Sequence, residues 1–241
     1  MDGSGRRAQA VAEQLKALVR EGVKKPGDKL PNELDLCREF SVSRPTLREA
    51  VKYLLSQGIL EIRRGKGTYV AALPGVPQDP LGLDFLTDPD LRLSLIEARL
   101  IIEPGVARLA ARNTSEADIA AIGKSVKDME EIVYEGKLGL NAELDFHRSV
   151  AEATKNPVIM RLVPVIVDSI IKTYKETPRS SADHRFALEE HRRIFEAIES
   201  RNPEEAFARM RAHLEASYER TVAKRAAMAR TDSPGNQRRD P

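Results

Sequence analysis

The sequence predicts a mainly α protein in two parts: an N-terminal winged helix-turn-helix with a small β-hairpin wing, and a C-terminal antiparallel bundle of six to seven helices. Three observations predict it. Residues 30–71 run as a capped short helix, a tight turn, a second capped helix and two strand-like runs around Arg64-Gly65-Lys66-Gly67. Residues 72–80, ALPGVPQDP, hold three prolines and a glycine with no periodicity, which reads as a linker. Beyond them every segment repeats apolar residues at helical steps and none alternates as a strand would.

Taken in order, Ala8 to Glu21 is the first expected helix, because Val11, Leu15, Leu18 and Val19 fall on one face. Met1 to Arg7 reads as a frayed end. Gly22 and Lys24-Lys25-Pro26-Gly27-Asp28 supply turn chemistry. Asn32 caps the second helix, to Phe40, with Glu33 and Asp35 in its first turn. Ser43 caps the third, to Gln57, with Pro45 where no internal N–H is lost. Leu47, Val51, Leu54 and Leu55 form its expected buried face. Arg44 and Arg48, four apart, project together from its N-terminal end.

Bulk composition limits the function classes. At 241 residues, with 32% charged and 41% hydrophobic residues, this is an ordinary globular chain of one or two domains. Apolar runs such as Val163 to Val167 are far too short to span a bilayer, and MDGSGRRAQ has no secretory core, so a cytoplasmic protein with no membrane partner is expected. The single Cys37 excludes an internal disulfide and reads as a packing residue. Residues 1–72 hold 14 Lys and Arg against 9 Asp and Glu, whereas the remainder holds 25 against 28. A basic head on a slightly acidic body suits contact with a polyanion.

Residue chemistry places that contact on the third helix and the wing. The arginine fork can bind guanine O6 and N7, or a phosphate, with two parallel bonds. Arg63, Arg64 and Lys66 crowd the hairpin, while Gly65 and Gly67 let backbone approach a groove closely. The segment PNELDLCREFSVSRPTLREAVKYLLSQGILEIRRGKGTYV resembles the DNA-binding domain of the GntR family of bacterial transcription regulators. The resemblance implies operator contacts from Arg44, Arg48 and wing Gly65, with a phosphate contact from Thr46. Arg64, Lys66 and Lys52 are further candidates for DNA contact. Relatives often carry an arginine directly after the helix-two glutamate; this chain has Leu34, which removes one helix-borne base contact.

The bundle is expected as Asp90–Arg112 (kinked or split at Pro104), Thr114 or Ser115 to Tyr134, Leu140–Thr154, Asn156–Tyr174, Asp183–Ser200 and Asn202–Met228. Pro178 to Ala182 reads as a loop. The expected organisation is a DNA-binding domain over 1–72, a linker over 73–80, a helical ligand, metal and dimerisation domain over 81–228, and a disordered tail over 229–241.

His147, His191 and His213 each sit on an otherwise apolar helical face, and Glu143 lies four residues before His147. One carboxylate and three imidazoles in a common interior suit a divalent transition metal with positions left open. His184, after a polar loop, is expected to be exposed. Arg99 lies in an apolar stretch four residues before Glu103 and reads equally as a salt bridge along the helix or as a clamp for a ligand carboxylate. EARLIIEPGVARLAARN, ELDFHRSVAEATKNP, EEHRRIFEAI and MRAHLE resemble, in order, the all-helical FCD effector domain of the FadR subfamily. That resemblance implies a zinc or nickel ion on His147, His191 and His213, with Glu143 in place of the usual aspartate, and an organic-acid effector on Arg99.

The reading is a dimeric, ligand-responsive transcription regulator, a repressor of a palindromic double-stranded operator, and not an enzyme. The alternatives are a regulator for which the metal is itself the signal, and a helical metalloenzyme using open metal positions to activate water.

Overall fold

A computed structural model describes residues 3–77, 79–136, 140–173 and 181–231. The chain divides into two compact units, Met1–Asp84 and Phe85–Pro241.

The first unit contains α1 (Gly3–Arg20), α2 (Glu33–Glu39), α3 (Arg44–Ser56), β1 (Leu60–Arg63) and β2 (Gly67–Val70). Helix α1 begins at Gly3 rather than Ala8, since no capping side chain or proline starts it at the later position. Asn32 caps α2 by accepting from the Asp35 N–H at 3.0 Å. The turn to α3 places Ser41 in the left-handed region, φ 53°. The antiparallel strands pair from Leu60↔Val70 to Arg63↔Gly67. Gly65 at the wing tip has φ +71°, a region that disfavours other L residues.

Ala8, Val11, Leu15, Leu36, Leu47, Ala50, Leu54, Leu60 and Val70 form the core of this unit. Thus α3 buries Leu47, Ala50 and Leu54, while Val51 and Leu55 pack at the margin. Cys37 also packs against this core. Of the stretch read as a linker, Gly75 and Val76 lie against the turn at Gly58 between α3 and β1. Gly75 N–H donates to Gly58 O at 3.1 Å, and a Cβ on Gly58 would stand 2.2 Å from Val76 O.

The second unit contains α4 (Leu91–Asn113), α5 (Glu116–Tyr134), α6 (Leu140–Ala153), α7 (Ile159–Thr173), α8 (Ser181–Glu199) and α9 (Pro203–Thr231). Helix α4 touches α6, α7, α8 and α9 and is the central helix. Pro104 does not split it. An interior proline costs about 3 kcal/mol, and burial of Leu95, Ile96, Val106 and Ala110 on either side offsets it. Ser115 and Asp118 form a capping box at α5. The Asn202 side chain accepts from the Glu205 N–H at 3.2 Å to start α9.

Helix α8 starts at Ser181, so residues 181 and 182 of the expected loop are helical. This corrects the placement of His184, which is only 5% exposed: on the first turns of α8 it faces inward, as Ala187, Leu188 and His191 do. Helix α9 continues to Thr231, past the expected start of the tail. The rest of the tail, residues 174–180 and Gly139 lie outside the described residues. Among the described residues no helix is long and apolar enough to cross a membrane.

Candidate functional site

Two constellations stand out, one in each unit. In the first, Arg44 and Arg48 leave α3 one turn apart, with side chains 62% and 70% exposed. Both lean on Glu33, the first residue of α2. Arg48 Nε donates to Glu33 Oε2 at 3.1 Å, and Arg44 Nε lies 3.9 Å from Glu33 Oε1. Glu33, Arg48 and Lys52 share a shallow groove with Ile62 and Thr68 of the wing. Arg64, Gly65 and Lys66 are exposed at the wing tip. Arg63 instead lies back on the hairpin, paired with Glu61 at 2.8 Å and 4.2 Å above the Tyr69 ring centroid. Thr46 is buried, its hydroxyl 2.9 Å from that of Ser43, so its side chain belongs to the helix cap. Leu34 is exposed on α2.

In the second unit, Glu143 and His147 of α6, His191 of α8 and His213 of α9 converge. Each offers one ligand atom, and these atoms all lie within 4.8 Å of one another. All four residues are buried, because α6, α8 and α9 each turn an apolar face inward and these side chains interrupt it. Asp145 is on the outer side of α6, paired with Arg148 at 3.2 Å.

Each outer ring nitrogen lies close to a group on a neighbouring helix. His147 Nδ1 lies 2.6 Å from Glu103 Oε2, His213 Nδ1 donates to Glu190 Oε2 at 3.0 Å, and His191 Nδ1 lies 3.3 Å from Met129 Sδ. The Nε2 atoms of His191 and His213 are buried with no hydrogen-bond partner. Two buried imidazole lone pairs without a partner are costly unless an ion or water takes them, so the donor set fits a divalent transition metal. If an ion were bound, Glu103 and Glu190 would be the carboxylates placed to orient the rings of ligating histidines.

Arg99 is buried beside this cluster. Its Nε donates to Glu103 Oε1 at 2.5 Å, and its Nη2 donates to His147 Nε2 at 2.8 Å. Arg99 thus forms the salt bridge expected along α4, and its Nη2 also reaches the histidine cluster. Burial alone would raise the Glu103 carboxyl, but Arg99 and His147 together hold it well below the ordinary carboxylate range. Sequence reasoning missed Glu103 and Glu190 as partners of the histidines. The available signals were the four-residue step from Arg99 to Glu103 and the position of Glu190 beside His191.

Burial, then the positive charge of neighbouring groups, pushes His191 and His213 well below the usual imidazole range. Neutral imidazole is the ligating form. Below an unfolded imidazole pKa of about 6.5 the unfolded chain takes up protons that the folded chain refuses. Stability of metal-free protein is therefore present above that pH and is lost as pH falls. The loss reaches about 1.4 kcal/mol per pH unit for each imidazole. Thermal melts in chelator from pH 7.5 to 5.5 check this, and a flat profile would count against two neutral buried imidazoles.

Comparison with known proteins places one family domain over each constellation. The family model "Bacterial regulatory proteins, gntR family" matches residues 7–70, and the FCD domain model matches residues 94–216. The HTH-type transcriptional regulator LutR of Bacillus subtilis is 34% identical over 204 residues, 82% of this chain and 93% of its own length. The chain belongs to the GntR family of bacterial transcription regulators. This GntR regulator is also 28% identical to the HTH-type transcriptional repressor NanR of Klebsiella aerogenes, over 86% of this chain and 82% of that one. A solved structure of Streptococcus agalactiae GntR is similar at 34% identity and a TM-score of 0.68, over 88% of this chain and 99% of that one. The family is one of DNA-binding regulators, not of enzymes.

Proposed function

We propose that this GntR regulator is a cytoplasmic homodimeric repressor. In this reading it binds a palindromic operator through residues 1–72 and a small carboxylate effector at a metal site within residues 81–228, with residues 73–80 joining the two. The observation that carries the effector half is the cluster itself. Two partnerless Nε2 atoms, His147, Glu143 and a buried guanidinium face one interior. Glu143, His147, His191 and His213 would hold zinc or nickel. The ion would supply positive charge and open positions for a ligand carboxylate. Arg99 adds a second, geometrically specific carboxylate donor.

The His147 Nε2 lone pair serves one partner at a time. When it turns to an ion, the Nη2 of Arg99 loses that acceptor, and an effector carboxylate is a suitable replacement. On the DNA side, Arg44 and Arg48 would enter the major groove, and Arg64, Gly65, Lys66 and Lys52 would meet the backbone. Thr46 would meet a phosphate only by giving up contacts with the Ser43 cap, whose Oγ lies beside its hydroxyl and accepts from its N–H. A two-fold dimer would present one such set to each half-site. The effector acts only so far as it binds the DNA-competent and DNA-incompetent states with different affinity.

A thermal-shift screen of hydroxy acids and sugar acids, with zinc, with nickel and with chelator, tests the reading. A true effector present at 100 times its dissociation constant adds about 2.7 kcal/mol of stability by mass action. The gain should require metal and should vanish in Arg99→Gln. Acid-induced stabilisation that survives chelation and Arg99→Gln would remove the metal-and-arginine site. Operator affinity that follows metal concentration with no acid present would instead support a metal sensor.

A further inference from the structure

The Glu33 carboxylate is out of place on a DNA-facing surface. It stands beside two arginines whose task, in the reading above, is to meet a polyanion, and like charge there opposes binding. Asp35, the other acid of the same turn, is turned away: its carboxylate accepts from the Asn32 side chain at 2.6 Å and lies 3.7 Å from Arg38. Glu33 alone faces α3. It is fixed at its root, because the Asn32 cap sets the start of α2 one residue earlier.

The contact also selects one edge of a guanidinium. Glu33 takes the Nε of Arg48, and that is the hydrogen bond Arg48 makes among the described residues. No hydrogen bond engages the Nη1/Nη2 edge of Arg48 among the described residues. That edge has the spacing of two parallel donors, which is what guanine O6 and N7 accept in the major groove. An exposed arginine otherwise carries rotamer entropy that must be lost on binding. Glu33 Oε1 adds a longer-range attraction to Arg44 at 3.9 Å, so one carboxylate steadies both side chains.

We propose that Glu33 is a positioning residue for operator specificity: it holds Arg48, and more loosely Arg44, so that the end of the Arg48 fork reads a guanine. The residue exchanges general affinity for DNA for discrimination between sequences. This rests on the assignment of Arg44 and Arg48 as DNA contacts.

Charge and positioning make opposite predictions, which the full-length protein can separate. The probes are a duplex selected from a random-sequence library by the wild-type protein and a scrambled duplex of the same length, titrated at fixed salt. For Glu33→Ala the expected result is about tenfold weaker binding to the selected duplex, as for a disturbed base contact. Binding to the scrambled duplex should be unchanged or tighter. Glu33→Gln, which keeps an oxygen acceptor but not the charge, should fall between. In an Arg48→Ala background the Glu33→Ala loss should disappear, because the residues then act through one contact. Equal tightening on both duplexes, or a loss on the selected duplex that persists without Arg48, would overturn the proposal. Intact selected-duplex binding by Arg48→Ala alone would instead refute the assignment of the recognition helix. Circular dichroism melts of each variant exclude unfolding as the cause.

Discussion

Glu103→Ala lowers the stability of the helical unit by about 3–5 kcal/mol, the range for removing one partner of a buried ion pair. Glu103 is 3% exposed, and its carboxylate faces both the Arg99 guanidinium and His147 Nδ1. Truncation takes a counter-charge from a buried cation, and the surrounding helices cannot open a water-filled path without losing apolar contact. At about 2–4 °C per kcal/mol for a unit of this size, the melting temperature should fall by about 6–20 °C. Glu103→Gln should lose less, since the amide oxygen still accepts from Arg99. The double variant Arg99→Met/Glu103→Leu should recover much of the loss, because a well-packed apolar pair avoids desolvating two charges. A Glu103→Ala protein that melts within about 2 °C of wild type would show that the pair is not isolated from solvent.

If the cluster holds zinc or nickel as proposed, His213→Ala should abolish tight binding of the ion, whereas Glu190→Gln should weaken it by about 10–100-fold. The two substitutions touch the same imidazole from opposite sides. His213 presents Nε2 to the cluster, and Glu190 holds its Nδ1 at 3.0 Å. Losing a ligand removes a bond to the ion, while losing the orienting carboxylate only lowers ligand basicity and loosens the ring. Competition titration against a chromogenic chelator measures both. Equal metal uptake by wild type and His213→Ala would leave the cluster as a packed polar core and would remove the metal from the proposed effector site. The graded result also separates ligation from general damage, since a collapsed bundle would treat the two variants alike.

The helical elements were legible because they are written locally. Asn32, Ser43 and Ser115 cap the helices they precede, and the Arg64-Gly65-Lys66-Gly67 run marks the hairpin turn. Helix α4 was less clear, since Pro104 reads as a break in a one-dimensional pattern. Its continuity depends on four neighbouring helices that no local rule contains. His184 was misplaced for a related reason. The polar residues before it resemble a loop, yet α8 already begins at Ser181 and turns that ring inward.

The sequence by itself determined the two-part architecture, the family, and the candidate pairs that lie one helical turn apart: Arg44 with Arg48, Glu143 with His147, and Arg99 with Glu103. Helical periodicity is enough to place such pairs on one face. Tertiary structure alone decided which faces meet. It set Glu33 of α2 against the arginines of α3, Glu103 of α4 against His147 of α6, and Glu190 of α8 against His213 of α9. Those contacts span 15, 44 and 23 residues, so they follow from how the helices pack and not from any local spacing. In the helical unit they also help to bury Glu103, His147 and His213, where low polarity makes each unpaired lone pair and charge count.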